Sequence, residues 1–127
     1  MPRVARVSST ASTEREAALV GKAALRTADL LGMSGAELAR TIGISEPSVS
    51  RLRAGDFAPA RKSVELAVLF VRLFRGLDAI TGGDADSARS WLRADNLVLR
   101  GRPLDLIQTV QGLAQTVQYV DARRARV

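Results

Sequence analysis

Residues 37–55 read ELARTIGISEPSVSRLRAG, and their spacing fits two short helices joined by a tight turn. Ala39 supplies the small residue needed where two helices cross closely, and Gly43 tolerates the positive φ of such a turn. Ser45 can cap the second helix, and Pro47 lies in its first turn, where proline disrupts no helical hydrogen bond. Apolar residues occupy the positions that must face a shared core: Leu38, Ile42, Ile44, Val49 and Leu52. The stretch therefore predicts a helix-turn-helix.

The second helix of this pair carries short and cationic side chains, which suit a DNA groove and its phosphates. Ser48 and Arg51 are expected to face the groove, and Arg51 is the expected base contact because arginine donates two hydrogen bonds to guanine O6 and N7. A plain helical hairpin with solvated arginines is the alternative, but the agreement of so many fixed positions favours DNA binding. The predicted DNA-binding residues are Ser45, Pro47, Ser48, Ser50, Arg51 and Arg53.

Three further cations are weaker candidates for phosphate contacts. Arg40 lies in the first helix of the pair and Arg61 and Lys62 follow the second, and a solvated surface role is equally consistent with each of them. The whole chain of 127 residues holds 19 Lys and Arg against 13 Asp and Glu, a net charge of +6 that suits a nucleic-acid partner. The excess is spread over the chain, so net charge alone does not locate a DNA site.

The composition argues against catalysis. The chain contains no cysteine and no histidine, so it cannot build a disulfide, a thiolate metal site or a histidine general base. No convergent group of acid, base and metal ligands is visible either. We therefore expect a protein that is not an enzyme and that uses no metal and no cofactor.

The residues before the helix-turn-helix divide into two parts. Residues 1–12 are small, polar and unpatterned, which predicts a disordered arm. Thr13 and Glu16 form a capping-box pattern, which predicts a helix from Thr13 to about Leu31. We therefore expect a DNA-binding domain over residues 13–62, with Pro59 in the connection to the next unit.

Residues 63–127 are predicted to form a small helical domain. Its first helix, from Ser63 to Ile80, is apolar on almost every side, so it must be covered within its own fold or by a second subunit. Capping residues then predict three more helices, with a loop before the middle one: they begin after Asp84, at Pro103 and after Thr109. No alternating strand pattern appears, so the fold class is all-α, and the two units are expected to share one core.

Nothing in the sequence predicts a membrane association. The apolar stretch from Val64 to Leu77 contains Arg72 and Arg75 and falls short of the run of about 18 apolar residues that a membrane span needs. The first residues lack the apolar centre of a secretory signal. The expected location is the cytoplasm.

Several motifs along residues 20–127 resemble the Xre/MbcA/ParS-like antitoxins, which join an Xre-type helix-turn-helix to a C-terminal toxin-binding domain. The motifs are LLGMSGAELAR from Leu30, GISEPSVSRL from Gly43, LFRGLDAITGG from Leu73, SWLRADN from Ser90, GRPLDLI from Gly101, and GLAQTVQYVD from Gly112. The resemblance implies an antitoxin that inhibits a RES-domain toxin, an enzyme that degrades NAD or transfers ADP-ribose from it. It also implies that the helix-turn-helix represses the operon that encodes both proteins.

In this family the toxin-binding domain covers the entrance to the NAD pocket, and the resemblance places those contacts in the loop over residues 96–103 and in the helix end over residues 119–127. One position departs from the family, since relatives often have a glycine where this chain has Arg100. The toxin-binding residues that the resemblance implies are Asn96, Arg100, Gly101, Arg102, Pro103, Tyr119, Arg123, Arg124 and Arg126.

Each of these assignments has a structural alternative. Asn96, Gly101 and Pro103 also fit a turn that ends one helix and starts the next, and Trp91 fits a core position. The three terminal arginines fit a solvated helix end as well as a pocket built for dinucleotide phosphates, and the sequence does not say which of them would enter it.

A second reading of the whole chain is a stand-alone phage-type repressor whose C-terminal half only dimerises, with the apolar helix from Val64 to Ile80 as the seam. Both readings predict operator DNA as a partner and a homodimer, because a helix-turn-helix normally reads a two-fold operator. The antitoxin reading adds the toxin, in a complex of higher order.

Overall fold

The computed structural model describes the backbone of residues 2–126 and the side chains of residues 12–126. Within residues 2–126 the chain forms seven helices and no strand, as the sequence predicts. None of these helices combines the length and the apolarity needed to cross a lipid bilayer. In chain order they are α1 (Pro2–Leu30), α2 (Gly35–Ile42), α3 (Glu46–Ala54), α4 (Arg61–Ile80), α5 (Ala85–Arg93), α6 (Pro103–Leu106) and α7 (Val110–Ala125).

Helix α1 is longer than the sequence predicts. It begins at Pro2 instead of Thr13 and so takes in residues 2–12 of the segment predicted as a disordered arm, whose first residue, Met1, lies outside the described residues. Pro2 suits a first helical turn because its missing N–H is not needed there. No proline or glycine follows before Gly21, and a helix that has formed extends at little cost. The capping pattern at Thr13 therefore lies inside the helix.

Helices α2 and α3 form the predicted helix-turn-helix, and local capping fixes both of their starts. The Ser34 hydroxyl accepts a hydrogen bond from the backbone N–H of Glu37 at 3.1 Å, and the Glu37 carboxylate accepts one from the Ser34 N–H at 2.8 Å. The Ser45 hydroxyl accepts a bond from the Ser48 N–H at 3.2 Å and so caps α3. Gly43 ends α2 with φ 72°.

Helix α4 lies at the centre of the fold and packs against α1, α2, α5 and α7. Phe70, Leu73 and Leu77 are at most 1% exposed, so this apolar helix is covered mainly by its own chain. One continuous hydrophobic cluster takes residues from all seven helices of the described range. The DNA-binding and C-terminal units therefore share a core, as the sequence predicts.

The C-terminal helices follow the predicted caps. The Asp84 carboxylate caps α5 by accepting hydrogen bonds from the Asp86 N–H at 3.1 Å and the Ser87 hydroxyl at 2.7 Å, and these bonds lower the pKa of Asp84. The Thr109 hydroxyl caps α7 by accepting a bond from the Gly112 N–H at 3.0 Å. A Cβ atom on Gly112 would collide with the carbonyl of Leu106, so only glycine lets α6 and α7 approach this closely.

Candidate functional site

The turn between α2 and α3 is joined to the central helix. Gly43 adopts the left-handed conformation that the sequence predicts, and the Ile44 N–H donates a hydrogen bond to the Ala39 carbonyl at 3.0 Å. The Gly43 carbonyl in turn accepts a hydrogen bond at 3.1 Å from the hydroxyl of Ser63, a buried residue of α4. The orientation of α3 is thereby fixed relative to the core and not only to α2.

Helix α3 presents one polar face to solvent. Pro47, Ser50 and Arg51 are exposed, as predicted, while Val49 and Leu52 point into the core. Ser45 is also exposed, but its hydroxyl is engaged in capping the helix. This face is the candidate nucleic-acid surface.

Ser48 does not face the groove, and that part of the prediction is wrong. Its side chain is only 5% exposed, and its hydroxyl lies 2.8 Å from the Ser45 hydroxyl. Ser48 is the third residue of α3, where the capping bond to Ser45 holds it against the helix start. Ser48 can therefore act on this face only through the residues that it contacts.

Arg51 is held in place by two neighbours. Its Nη2 donates a hydrogen bond to the Ser48 hydroxyl at 2.9 Å. Its guanidinium carbon lies 5.2 Å from the centre of the Phe57 ring, within range of a cation–π interaction. Arg51 is nevertheless exposed, so its remaining N–H groups are available to a base edge or a phosphate. Phe57 follows α3 in a loop, and the sequence analysis gives it no role.

Arg53 is directed to α1 and not to the exposed face of α3. Its two Nη atoms donate hydrogen bonds to the Asp29 carboxylate at 3.1 and 3.0 Å. These bonds lower the pKa of Asp29 and raise the pKa of Arg53. Because Asp29 balances its positive charge, Arg53 should attract a DNA phosphate less strongly than Arg51 does.

The weaker candidates for phosphate contacts are Arg40, Arg61 and Lys62. Arg40 donates a hydrogen bond of 2.6 Å to the side-chain oxygen of Gln108, which connects α2 to the segment between α6 and α7. Arg61 and Lys62 are exposed in the first turn of α4. All three residues are exposed to solvent, and the Arg40 guanidinium is in addition engaged by Gln108.

The loop between α5 and α6 is a tight turn built on Asn96. The Asn96 side-chain oxygen accepts hydrogen bonds from the N–H groups of Val98 at 3.0 Å and Leu99 at 2.9 Å. The Asn96 N–H donates to the Gly101 carbonyl at 2.9 Å, and the Asn96 carbonyl accepts from the N–H of Arg100 at 2.8 Å. Asn96 and Gly101 thus shape the turn, which is the structural alternative that the sequence left open.

Arg100 occupies the position at which relatives often have glycine. It is the one described residue other than glycine with a positive φ, 63°. This left-handed conformation costs a residue with a Cβ roughly 1 to 2 kcal/mol and costs glycine almost nothing. The loop therefore holds Arg100 in a strained conformation, with its side chain exposed.

The next two predicted toxin-binding residues, Arg102 and Pro103, make their contacts within the chain. Arg102 donates to the Asp105 carboxylate through Nε at 3.0 Å and Nη2 at 2.8 Å, which lowers the pKa of Asp105. Pro103 is buried and starts α6. Both residues stabilise the entry into α6.

The C-terminal arginines lie on two sides of α7. Tyr119 stacks on Trp91 with ring centres 6.4 Å apart, and the Arg123 guanidinium carbon lies 5.9 Å from the Tyr119 ring. Arg123 and Arg126 line a groove together with Tyr119, whereas Arg124 borders a different groove, between α1 and α4. Val127, the last residue of the predicted contact segment, lies outside the described residues.

The structure brings five of the nine predicted toxin-binding residues to the surface with exposed or partly exposed side chains that make no side-chain hydrogen bond or ion pair within residues 12–126. They are Arg100, Tyr119, Arg123, Arg124 and Arg126. It also exposes two residues that the sequence analysis did not select, Leu97 at 94% and Val98 at 70%. Their hydrophobicity in a loop was visible in the sequence, but their exposure was not.

Comparison with known protein families gives two matches. Residues 11–72 match the antitoxin Xre-like helix-turn-helix domain, and residues 76–126 match the antitoxin Xre/MbcA/ParS C-terminal toxin-binding domain. No curated protein sequence matches the chain. The two matches meet inside α4, between residues 72 and 76, whereas the sequence analysis places the boundary between residues 62 and 63.

Both matches agree with the geometry. The first covers the helix-turn-helix of α2 and α3, and the second covers α5, α6, α7 and the loop at residues 96–101. The second match also favours an antitoxin over a stand-alone repressor whose C-terminal half only dimerises. The chain therefore belongs to the Xre/MbcA/ParS antitoxins, with an Xre-like DNA-binding unit and a C-terminal toxin-binding unit built on one core.

Proposed function

We propose that this antitoxin represses its own operon through α3 and neutralises a RES-domain toxin that consumes NAD. The observation that carries the proposal is the pairing of two surfaces on one body: the exposed face of α3 around Arg51, and the arginine-rich surface around residues 96–101 and the end of α7. Both activities belong in the cytoplasm, where the operon and NAD are found.

The DNA-binding half of the proposal requires α3 to enter the major groove with Arg51 toward a base edge. A homodimer would place two copies of α3 on half-sites roughly 34 Å apart. Light scattering after size exclusion, with the full chain alone and with its toxin, tests this. We expect a dimer for the chain alone and a larger complex with the toxin, and a strictly monomeric chain would contradict the two-fold operator.

Co-expression with the RES-domain protein encoded beside this chain tests the toxin-binding half. The toxin alone should stop growth and deplete cellular NAD, and this chain should restore both. Mass spectrometry of cell extracts for free ADP-ribose and for ADP-ribosylated proteins then separates NAD degradation from ADP-ribose transfer. A chain that neither binds the toxin nor restores growth would remove the RES assignment.

A reciprocal pair of substitutions separates the two surfaces. Arg51→Ala should weaken operator binding by about 1 to 3 kcal/mol, roughly 5- to 150-fold, and leave toxin binding unchanged. Arg126→Ala replaces an exposed arginine at the other surface and should leave operator binding unchanged. Fluorescence anisotropy with operator DNA and calorimetry with the toxin measure both. Unchanged operator binding by Arg51→Ala would remove its role.

A truncation tests the terminal residues. Removing residues 122–127 keeps Asp121, whose carboxylate pairs with Arg72 of α4 at 2.6 Å, so the core should remain intact. This shortened chain should neutralise the toxin less well and bind operator DNA normally. Full neutralisation by the shortened chain would show that the terminal arginines are a solvated helix end.

A further inference from the structure

Two large apolar side chains project from the tip of the loop between α5 and α6. Leu97 is 94% exposed and Val98 is 70% exposed. Single exposed apolar residues are common on folded proteins and need no explanation, but two adjacent ones at the tip of a loop expose a concentrated apolar surface. Such a tip is typical of a segment that another protein covers.

The tip is exposed although its backbone is firmly held. The Asn96 side chain accepts hydrogen bonds from the N–H groups of both Val98 and Leu99, and the Asn96 backbone is bonded to Gly101 on the other side of the turn. Pro103 is buried directly after the turn. The loop therefore presents Leu97 and Val98 in a fixed position, so little backbone freedom is lost when they bind.

A groove of about 530 Å³ lies beside the tip, lined by Val98, Tyr119, Ala122, Arg123 and Arg126. Two of these lining residues are in contact, because the Arg123 guanidinium lies over the Tyr119 ring, and Tyr119 in turn stacks on Trp91. The aromatic residue and the arginines of this groove are residue types that are enriched where proteins bind one another, and the exposed aliphatic pair beside them adds apolar area that a partner could cover.

The charge around the tip indicates the chemistry of the partner. Among the residues whose side chains the structure describes, Arg100, Arg123 and Arg126 form no ion pair with an acidic residue. Two acidic residues of this region act elsewhere, since Asp121 is paired with Arg72 and Asp95, at the base of the loop, interacts electrostatically with Arg102. A second copy of this chain would bring like charges together at this surface. A partner with carboxylates around an apolar socket would complement it.

We propose that Leu97 and Val98 anchor the antitoxin in an apolar socket of its toxin, with Arg100, Arg123 and Arg126 against acidic groups at the socket rim. The inference rests on the proposed function, because the occupant is the cognate toxin. It adds two residues to the toxin-binding set and assigns the tip a larger share of the affinity than the terminal arginines.

The double substitution Leu97→Ser with Val98→Ser in the full chain tests the anchor, with the RES-domain protein from the neighbouring gene as the probe. We expect affinity for that protein to fall on the order of 100-fold by calorimetry, because two large apolar side chains that leave water on binding would be replaced by small polar ones. The melting temperature and operator affinity should stay unchanged, because both side chains are exposed. Val110→Ser is the matched control: Val110 is 65% exposed at the opposite end of α7 and should change the affinity less than twofold.

The possible outcomes separate the anchor from the proposed function. If the wild-type chain binds the toxin and the double variant binds it equally well, the anchor is refuted and the proposed function stands. If the wild-type chain does not bind that protein, the proposed function fails and the anchor fails with it. If the double variant keeps its toxin affinity but changes from dimer to monomer in light scattering, the tip is a self-association surface and the proposal is refuted.

Discussion

The two candidate surfaces of this molecule differ in what is held in place before a ligand arrives. On the exposed face of α3, a side chain itself is held: Arg51 contacts both Ser48 and Phe57. On the loop between α5 and α6, the backbone is held by Asn96 while the side chains at the tip extend into solvent.

This difference shows two ways to reduce the entropy cost of binding. A side chain that is already oriented loses little rotamer freedom on a DNA groove, which favours a fixed hydrogen-bond pattern. A fixed loop with free apolar side chains loses little backbone freedom and can adjust its rotamers to a protein socket. The first arrangement suits a regular helix of DNA, and the second suits an irregular protein surface.

The largest expected effect comes from removing the core on which both surfaces depend. Phe70→Ala should destabilise the protein by about 3 to 5 kcal/mol, because the Phe70 side chain is fully buried in α4. Circular dichroism should show a single melting transition at lower temperature, with operator and toxin binding lost together. Val68→Ala, at a half-exposed position of the same helix, is the control and should cost far less. Two separate transitions would contradict a shared core.

A smaller loss is expected at the close approach of α6 and α7. Gly112→Ala should cost about 1 to 3 kcal/mol in urea unfolding, because the new methyl group meets the backbone carbonyl of Leu106, which cannot rotate away. Gly35→Ala is the control, since its methyl group would lie 3.8 Å from a Val49 methyl, an ordinary contact. If both variants were equally stable, α6 and α7 would not pack as described.

Removing the Phe57 contact should leave the Arg51 side chain freer to change rotamer, as the side chains at the tip of the loop between α5 and α6 are. Phe57→Leu removes the ring beneath the guanidinium and should weaken operator binding by about 0.5 to 1 kcal/mol, or roughly two- to fivefold. Phe57→Tyr keeps an aromatic face and should bind like the wild type. Anisotropy titrations below the melting temperature of each variant measure this, and equal losses in both variants would show that the ring does not orient Arg51.

The smallest effect is expected from relieving the strained residue of the loop. Arg100→Gly should raise the free energy of unfolding by about 0.5 kcal/mol, because glycine adopts φ 63° without a Cβ clash while its greater freedom in the unfolded chain offsets part of the gain. Arg100→Ala keeps the clash and should bring no gain. Urea unfolding of the two variants compares them directly, and equal stability would mean that the positive φ costs nothing here.

The features that the sequence predicts well depend on neighbours a few residues apart. Ser34 with Glu37, Ser45 at the start of α3 and Thr109 at the start of α7 all form the predicted caps, because a capping bond spans only two or three residues. Gly43 takes the predicted positive φ for the same local reason. Helical spacing also predicts the buried positions of α2, α3 and α7.

The features that it missed depend on parts of the chain that meet only in the fold. Arg53 is separated from Asp29 by 24 residues, and no pattern in the sequence connects them. The burial of Ser48 is instead a local feature that was overlooked, because Ser48 lies four residues before the buried Leu52 and so on the same side of α3. Leu97 and Val98 look like core residues by composition, and only the absence of a covering helix leaves them exposed.

Because α4 lies at the centre of the fold, the two halves of the chain depend on each other for their stability. Ser63 of α4 holds the turn before α3, and further along the same helix the side chains pack beneath α7. Proteolytic cleavage within α4 would disrupt both binding surfaces at once. Neither half of the chain could be expressed alone without exposing the apolar side chains of that helix. Degradation of the chain would therefore end DNA binding and toxin binding at the same moment.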